Sequence, residues 1–218
     1  GETAHAVAAP WNGKSALSAA RKFLDLIDAR RECFTPDIHV NSVILDGGKA
    51  PNIIPDYSKI RMEFRTSSMS RLEKVDEMIK KCANAAAMAL DCTVTLTFGL
   101  SDFADMVRNY PLENKITELM AGYGLKVGDV PPASGSSDVG NISYRCPAMQ
   151  SMLSITDENF ALHTRDFRDA TLKPQAHDAM AKGACCLADL SLKIFNDDSF
   201  RSTVYEAWQK ELKNKQSD

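Results

Sequence analysis

No stretch of this 218-residue chain is apolar over the ~20 residues that a membrane-spanning helix needs, and no charged segment leading into a short apolar run marks a secretory leader. The chain opens on Gly1 and not on Met, so this speaks only for the residues present. Charge of one sign is also lacking. With 26 Lys and Arg against 29 Asp and Glu, well mixed, nothing favours nucleic acid or an anionic membrane as a partner. The KELKNK run at 210–215 reads as a solvated helix end. Six cysteines occur without any C-x-x-C spacing, and adjacent Cys185 and Cys186 point to opposite sides of a helix as core filler. A reducing, cytoplasmic setting is the expectation. Histidine is scarce, with His5, His39, His163 and His177 only, and no H-E-x-x-H joins them. What remains is an ordinary soluble composition, 44% hydrophobic and 25% charged, enough for one sizeable core or two modest domains.

Periodicity orders the chain. Ala16, Leu17, Ala20, Phe23, Leu24 and Ile27 recur at helical spacing within 13–32, and alternation from His39 to Leu45 predicts a strand that ends at the Asp46-Gly47-Gly48 turn. A second strand is expected from Ser58 to Thr66, with Ile60, Met62 and Phe64 on one face. Ser70 followed by Glu73 fits a capping box opening a helix to Leu90, and Thr93 to Phe98 alternates as a third strand. One strand ahead of the first helix, of which Ala4 to Val7 is the end, would complete a βαββαβ, ferredoxin-like unit with its first strand truncated. After Ser101 the pattern changes. Helices are expected at 111–123, at 173–195 with Met180, Ala184, Leu187, Ala188, Leu190 and Ile194 inward, and at 202–212. A short buried strand is expected at 150–155, and the turn formers D-V-P-P-A-S-G-S-S-D-V-G-N at 129–141 make a long polar loop.

Five places carry groups that chemistry could use. His5, among small residues, is either incidental or part of a site built with others. Asn52 after Gly47-Gly48 is either an Asx turn in a hairpin or an amide aimed at a substrate oxygen. Arg65 ends a strand on the face opposite Ile60, Met62 and Phe64, where a guanidinium suits bidentate binding of a carboxylate. Gly135-Ser136-Ser137-Asp138 is either an anion-binding nest or a helix N-terminus. His163 is open as metal ligand, general base or structural residue, and one imidazole does not make a catalytic zinc site, which takes about three protein ligands.

Taken in order, G-E-T-A-H-A-V-A-A-P-W-N-G-K-S-A-L, G-G-K-A-P-N-I-I-P-D, Arg65, G-S-S-D-V-G-N-I-S-Y and L-H-T-R-D-F resemble the metal-dependent M20 peptidase and aminoacylase superfamily. The likeness is greatest to the amidohydrolase branch that includes p-aminobenzoyl-glutamate hydrolase and the aminoacylase-like dipeptidases, and it runs from Gly1 to about Asp198. It implies an α+β chain: a lid or dimerisation domain over 1–102, and over 103–218 the C-terminal part of a three-layer α/β catalytic domain. It further implies two divalent metal ions, usually zinc with manganese or cobalt as alternatives, a homodimer through residues 1–102, and a small-molecule amide as substrate.

By motif, the resemblance implies that His5 steadies the scissile carbonyl oxygen, often from the partner subunit. Asn52 and Arg65 would hold substrate oxygens or the terminal carboxylate. Ser136 would line the catalytic pocket with Gly135 supporting its loop, and His163 would be the C-terminal metal ligand. The family's H-x-D motif, bridging aspartate, glutamate pair and remaining metal ligand are expected to precede Gly1, so the 218 residues are expected to be inactive without that N-terminal half. The implied reaction is hydrolysis of N-acyl amino acids, dipeptides or aminobenzoyl-glutamate-like amides. The alternatives are a dimerising scaffold without catalysis and a carboxypeptidase of the same superfamily.

Overall fold

Ile60, Met62 and Phe64 alternate with Lys59, Arg61, Glu63 and Arg65, so an extended backbone places the apolar set on one face and the charged set on the other. The computed structural model, which describes residues 1–99, 102–128 and 135–217, divides into two units, Gly1–Asp102 and Phe103–Asp218. In the first, the order is β1 (Ala4–His5), a 3-10 turn (Pro10–Asn12), α1 (Ala16–Arg31), β2 (His39–Asp46), β3 (Ile53–Ile54), β4 (Lys59–Arg65) and α2 (Met69–Ala89). Strands β2 and β4 pair antiparallel, with His39 opposite Arg65, Val40 opposite Phe64 and Ile44 opposite Ile60. A second, short antiparallel ladder joins β1 to β3, with Ala4 opposite Ile54 and His5 opposite Ile53.

Helices α1 and α2 close over the apolar face of β2 and β4. Ile27, Val40, Val75, Ile79 and Cys82 form the buried cluster, with Phe23, Met62 and Phe64 packed around it. Full burial of side chains of this size contributes about 1.5–3 kcal/mol each. Helix α1 starts on Ser15, whose hydroxyl accepts from the Ser18 amide at 3.1 Å. Helix α2 starts on Ser68 and not on Ser70: the Ser68 hydroxyl accepts from the Arg71 amide at 3.4 Å. Asp37 explains the earlier start. Its carboxylate takes the Ser67 amide at 3.1 Å and hydroxyl at 2.7 Å and the Arg71 guanidinium at 2.7 Å, fixing the backbone just ahead of Ser68.

The expected four-stranded sheet is not seen among the described residues: the unit is mixed α/β with two separate two-stranded ladders, one of which uses Ile53–Ile54 in place of an expected strand. Residues 93–98 form no strand, and Val94, Leu96 and Phe98 are exposed. A strand exists only with a paired backbone beside it, and no described residue supplies one there. Phe98 instead lies under the Lys80 ammonium, 4.8 Å from the ring centre.

Every regular element described in the second unit is helical: α3 (Tyr110–Gly122), α4 (Val139–Ser143), α5 (Arg165–Ala170), α6 (Pro174–Asn196) and α7 (Asp198–Ser217). The sheet expected of a three-layer domain is not seen among the described residues, and the strand expected at 150–155 does not form. The core joins α3, α6 and α7 through Leu112, Ile116, Cys186, Leu190 and Val204. Helix α6 turns Leu190 and Ile194 onto this core as its spacing suggests, but the rest of its inward face is built of smaller residues than expected. Ala176, Ala179, Gly183, Cys186 and Leu190 are buried, whereas Met180 and Leu187 are exposed. The small stripe lets neighbouring chain approach closely, and the adjacent cysteines split as their spacing requires, Cys186 buried and Cys185 exposed.

Buried polar groups hold the ends of these helices. Asn109, fully buried, caps α3 by accepting from the Leu112 amide at 3.2 Å and donates to the Val204 carbonyl at 2.9 Å. The Ser143 hydroxyl accepts from the Val107 amide at 2.9 Å, and its carbonyl accepts from the Trp208 indole at 2.7 Å. Gly140 is required by proximity: a Cβ there would lie 1.8 Å from the Ala104 carbonyl oxygen.

Candidate functional site

His5 ends β1 and is exposed, yet its ring is not free to choose a tautomer. Nδ1 accepts from the amides of Val7 at 3.2 Å and Ala8 at 3.1 Å. Two backbone donors on Nδ1 leave the neutral imidazole with its proton on Nε2, the nitrogen on the far side of the ring. The sequence A-V-A-A-P builds this turn from small residues, and the Ala9 amide closes it on the His5 carbonyl at 3.2 Å. The product is an exposed N–H donor on a fixed loop.

Asn52 is brought beside it. The Ala6 amide donates to the Asn52 carbonyl at 2.9 Å, and the next residue, Ile53, is the ladder partner of His5. The Asn52 side chain is exposed. The turn leading to it is built by Gly48, whose φ of 108° is left-handed and whose amide donates to the Asp46 carboxylate at 3.0 Å. An open depression of about 380 Å³ lies against this segment between Leu17, Lys49, Ile53 and Pro55.

Arg65 stands on the other ladder, on the exposed face of β4, where its Nε donates to Glu63 at 2.5 Å. His39 lies across from it in register. Reading His39 only as the start of a strand missed this placement, although the alternation shared by 39–45 and 59–65 is the signal that pairs them.

In the second unit, Gly135 and Ser136 are exposed just ahead of α4. Ser137 accepts from the Val139 amide at 3.2 Å, so this loop is the N-terminal approach to a short helix, while residues 129–134 of the turn-rich run lie outside the described residues. His163 is exposed in a left-handed conformation with φ 65°, followed by Thr164, which caps α5 by accepting from the Phe167 amide at 3.2 Å. His5 and Asn52 are thus joined by one ladder. Arg65 belongs to a second ladder of the same unit, and Gly135, Ser136 and His163 belong to the other unit.

These placements put His5, Asn52 and Arg65 within a segment of known type. Residues 1–90 match the M20 peptidase dimerisation domain. Across both units the chain is similar to Xaa-Arg dipeptidase of Mus musculus, 30% identical over 219 residues, and to Xaa-Arg dipeptidase of Homo sapiens, 28% identical over 220. Each alignment takes in 99% of this chain and 50% of the relative, so the chain spans about half the length of the curated relatives it matches. Among the described residues, no group of three or more His, Cys, Asp and Glu is placed to hold a metal ion. The described residues therefore do not form a metal site, and His163 supplies one imidazole. Among the described residues, no helix is long and apolar enough to cross a membrane.

Proposed function

We propose that this chain is the substrate-orienting part of a metal-dependent M20 amide hydrolase that acts on dipeptides or N-acyl amino acids with a free carboxylate. The observation that carries the reading is the His5 ring: Nδ1 is held by two backbone amides, and Nε2–H is presented as a donor. A donor fixed in advance is what the carbonyl oxygen of an amide needs as negative charge develops on it during attack by water. Asn52, tied to the same ladder, offers its side-chain amide to the same region, and Arg65 on its rigid strand holds the substrate carboxylate. Residues 1–102 act as the lid and dimerise, which lets His5 serve a neighbouring subunit. Residues 103–218, with Ser136 and Gly135 at the pocket wall and His163 as a metal ligand, complete the catalytic part. No chemical step is assigned to metal here, because the described residues do not assemble its site. The dipeptidase-like relatives favour a dipeptide with a basic C-terminal residue within this class.

The test is kinetic and uses the complete gene product. Hydrolysis of a panel of Xaa-Arg dipeptides and N-acyl amino acids is measured beside metal content. His5→Ala is expected to lower kcat by about 10²–10³-fold, the range for loss of one oxyanion donor, with metal content unchanged. A complete protein that hydrolyses none of the panel supports a dimerising scaffold instead. A His5→Ala variant with undiminished kcat removes the role of the ring.

A further inference from the structure

On the exposed face of β4 the row Arg61, Glu63, Arg65 lies opposite Val43, Asn41 and His39 of β2, and the helices cover the other face. Within that row one contact is directional. The Arg65 Nε, and not a terminal nitrogen, donates to Glu63 Oε1 at 2.5 Å, and among the described residues the guanidinium takes no other partner. We propose that Glu63 is a positioning residue for Arg65, holding Nε–H so that the two terminal NH2 groups face outward as a pair for a substrate carboxylate. This rests on the reading that Arg65 binds that carboxylate.

The geometry follows from the strand. Residues two apart share a face and lie ~6.6–6.8 Å apart along it, within reach of Glu and Arg side chains that bend toward each other. A guanidinium can meet a carboxylate along its Nε edge or across its two terminal nitrogens. With Glu63 on the Nε edge, only the terminal pair is offered, and the plane of the fork is set before substrate arrives. Arg65 and Glu63 keep 52% and 63% of their side-chain exposure, and an exposed ion pair of this kind adds little to folding. Its effect is therefore expected in binding and not in stability, which makes it separable. With Arg61 on the far side of Glu63, the row of two guanidinium groups and one carboxylate carries a net positive charge toward an incoming anion.

The experiment compares, in the complete protein, KM for a dipeptide with a free C-terminal carboxylate and the inhibition constant of its C-terminal amide. Glu63→Ala is expected to raise KM for the acid about 10-fold with kcat, the constant for the amide and Tm unchanged. Glu63→Gln, whose Oε1 still accepts from Nε, is expected to restore most of the loss. In an Arg65→Lys background, which lacks Nε–H, Glu63→Ala is expected to add nothing. If Arg65→Ala weakens the acid selectively but Glu63→Ala does not, the positioning role is overturned and Arg65 stands. If Arg65→Ala itself leaves the acid and amide equally affected, the carboxylate reading falls and this inference with it.

Discussion

Replacing Asn109 with alanine is expected to be among the costlier single changes in the second unit, although Asn109 touches no candidate site residue. The side chain is fully buried and makes two bonds that no solvent can replace. Its Oδ1 takes the Leu112 amide, one of the orphan donors of the first turn of α3, and its Nδ2 donates to the Val204 carbonyl, ninety-five residues on. Loss of an N-cap costs about 1–2 kcal/mol, and loss of a second buried hydrogen bond adds about 1, for a total of roughly 2–3 kcal/mol. Asn109→Asp separates the two, since a carboxylate still caps Leu112 but cannot donate to Val204 and meets a carbonyl instead. The assay is urea unfolding of the 218-residue chain in a Trp11→Phe background, which leaves Trp208, buried against the Ser143 carbonyl, as the only indole. An unchanged m with a lowered midpoint registers the loss as stability. A cost below about 1 kcal/mol for Asn109→Ala would refute the reasoning, because a buried cap of this kind cannot be removed so cheaply.

Gly48→Ala is expected to destabilise the first unit, since φ is 108° and a Cβ would lie 2.7 Å from the Pro55 ring; His5 and Asn52 should shift together, read as paired amide chemical-shift changes at Ala6 and Ile53. Asp37 is held well below the usual carboxylate range, first by the Thr35 hydroxyl, then by Ser67 and by Arg71. A depressed folded value contributes stability that is present above the unfolded pKa of ~3.9 and is lost as pH falls toward the folded one, so Asp37→Asn should flatten the acid limb of the stability profile. Two of the five tyrosines should ionise late. Tyr123, donating to Asp189, is pushed up to about 12, and Tyr144, by burial and then by Asp105, also to about 12. Raised values give stability present below the unfolded pKa of ~10 and lost as pH climbs through the folded one, and absorbance titration should show the two late phenols disappear singly in Tyr123→Phe and Tyr144→Phe.

Much of the fold is legible where local pattern and tertiary environment agree. The alternation of 59–65 and the helical period of 16–31 required little from elsewhere, and Ser15 begins its helix as a serine in that place does. Pattern failed where pairing or packing decided. Thr93 to Phe98 has the residues of a strand but no paired backbone among the described residues, and α6 packs inward through Ala176, Ala179, Gly183 and Cys186 along with Leu190, leaving Met180 and Leu187 exposed. The cap of α2 moved from Ser70 to Ser68 because Asp37, distant in sequence, holds Ser67.

The candidate site divides along the same line. Residue types and their order carry the chemistry, because an imidazole, an amide and a guanidinium in turns and at a strand end are properties of the chain itself, as is the likeness to M20 peptidases. Which nitrogen of His5 bears the proton, which face Arg65 shares with Glu63, and the neighbourhood of Asn52 and His5 belong to the folded molecule. Each depends on hydrogen bonds between groups whose meeting is set by ladder register and turn geometry, and residue spacing alone does not specify those distances.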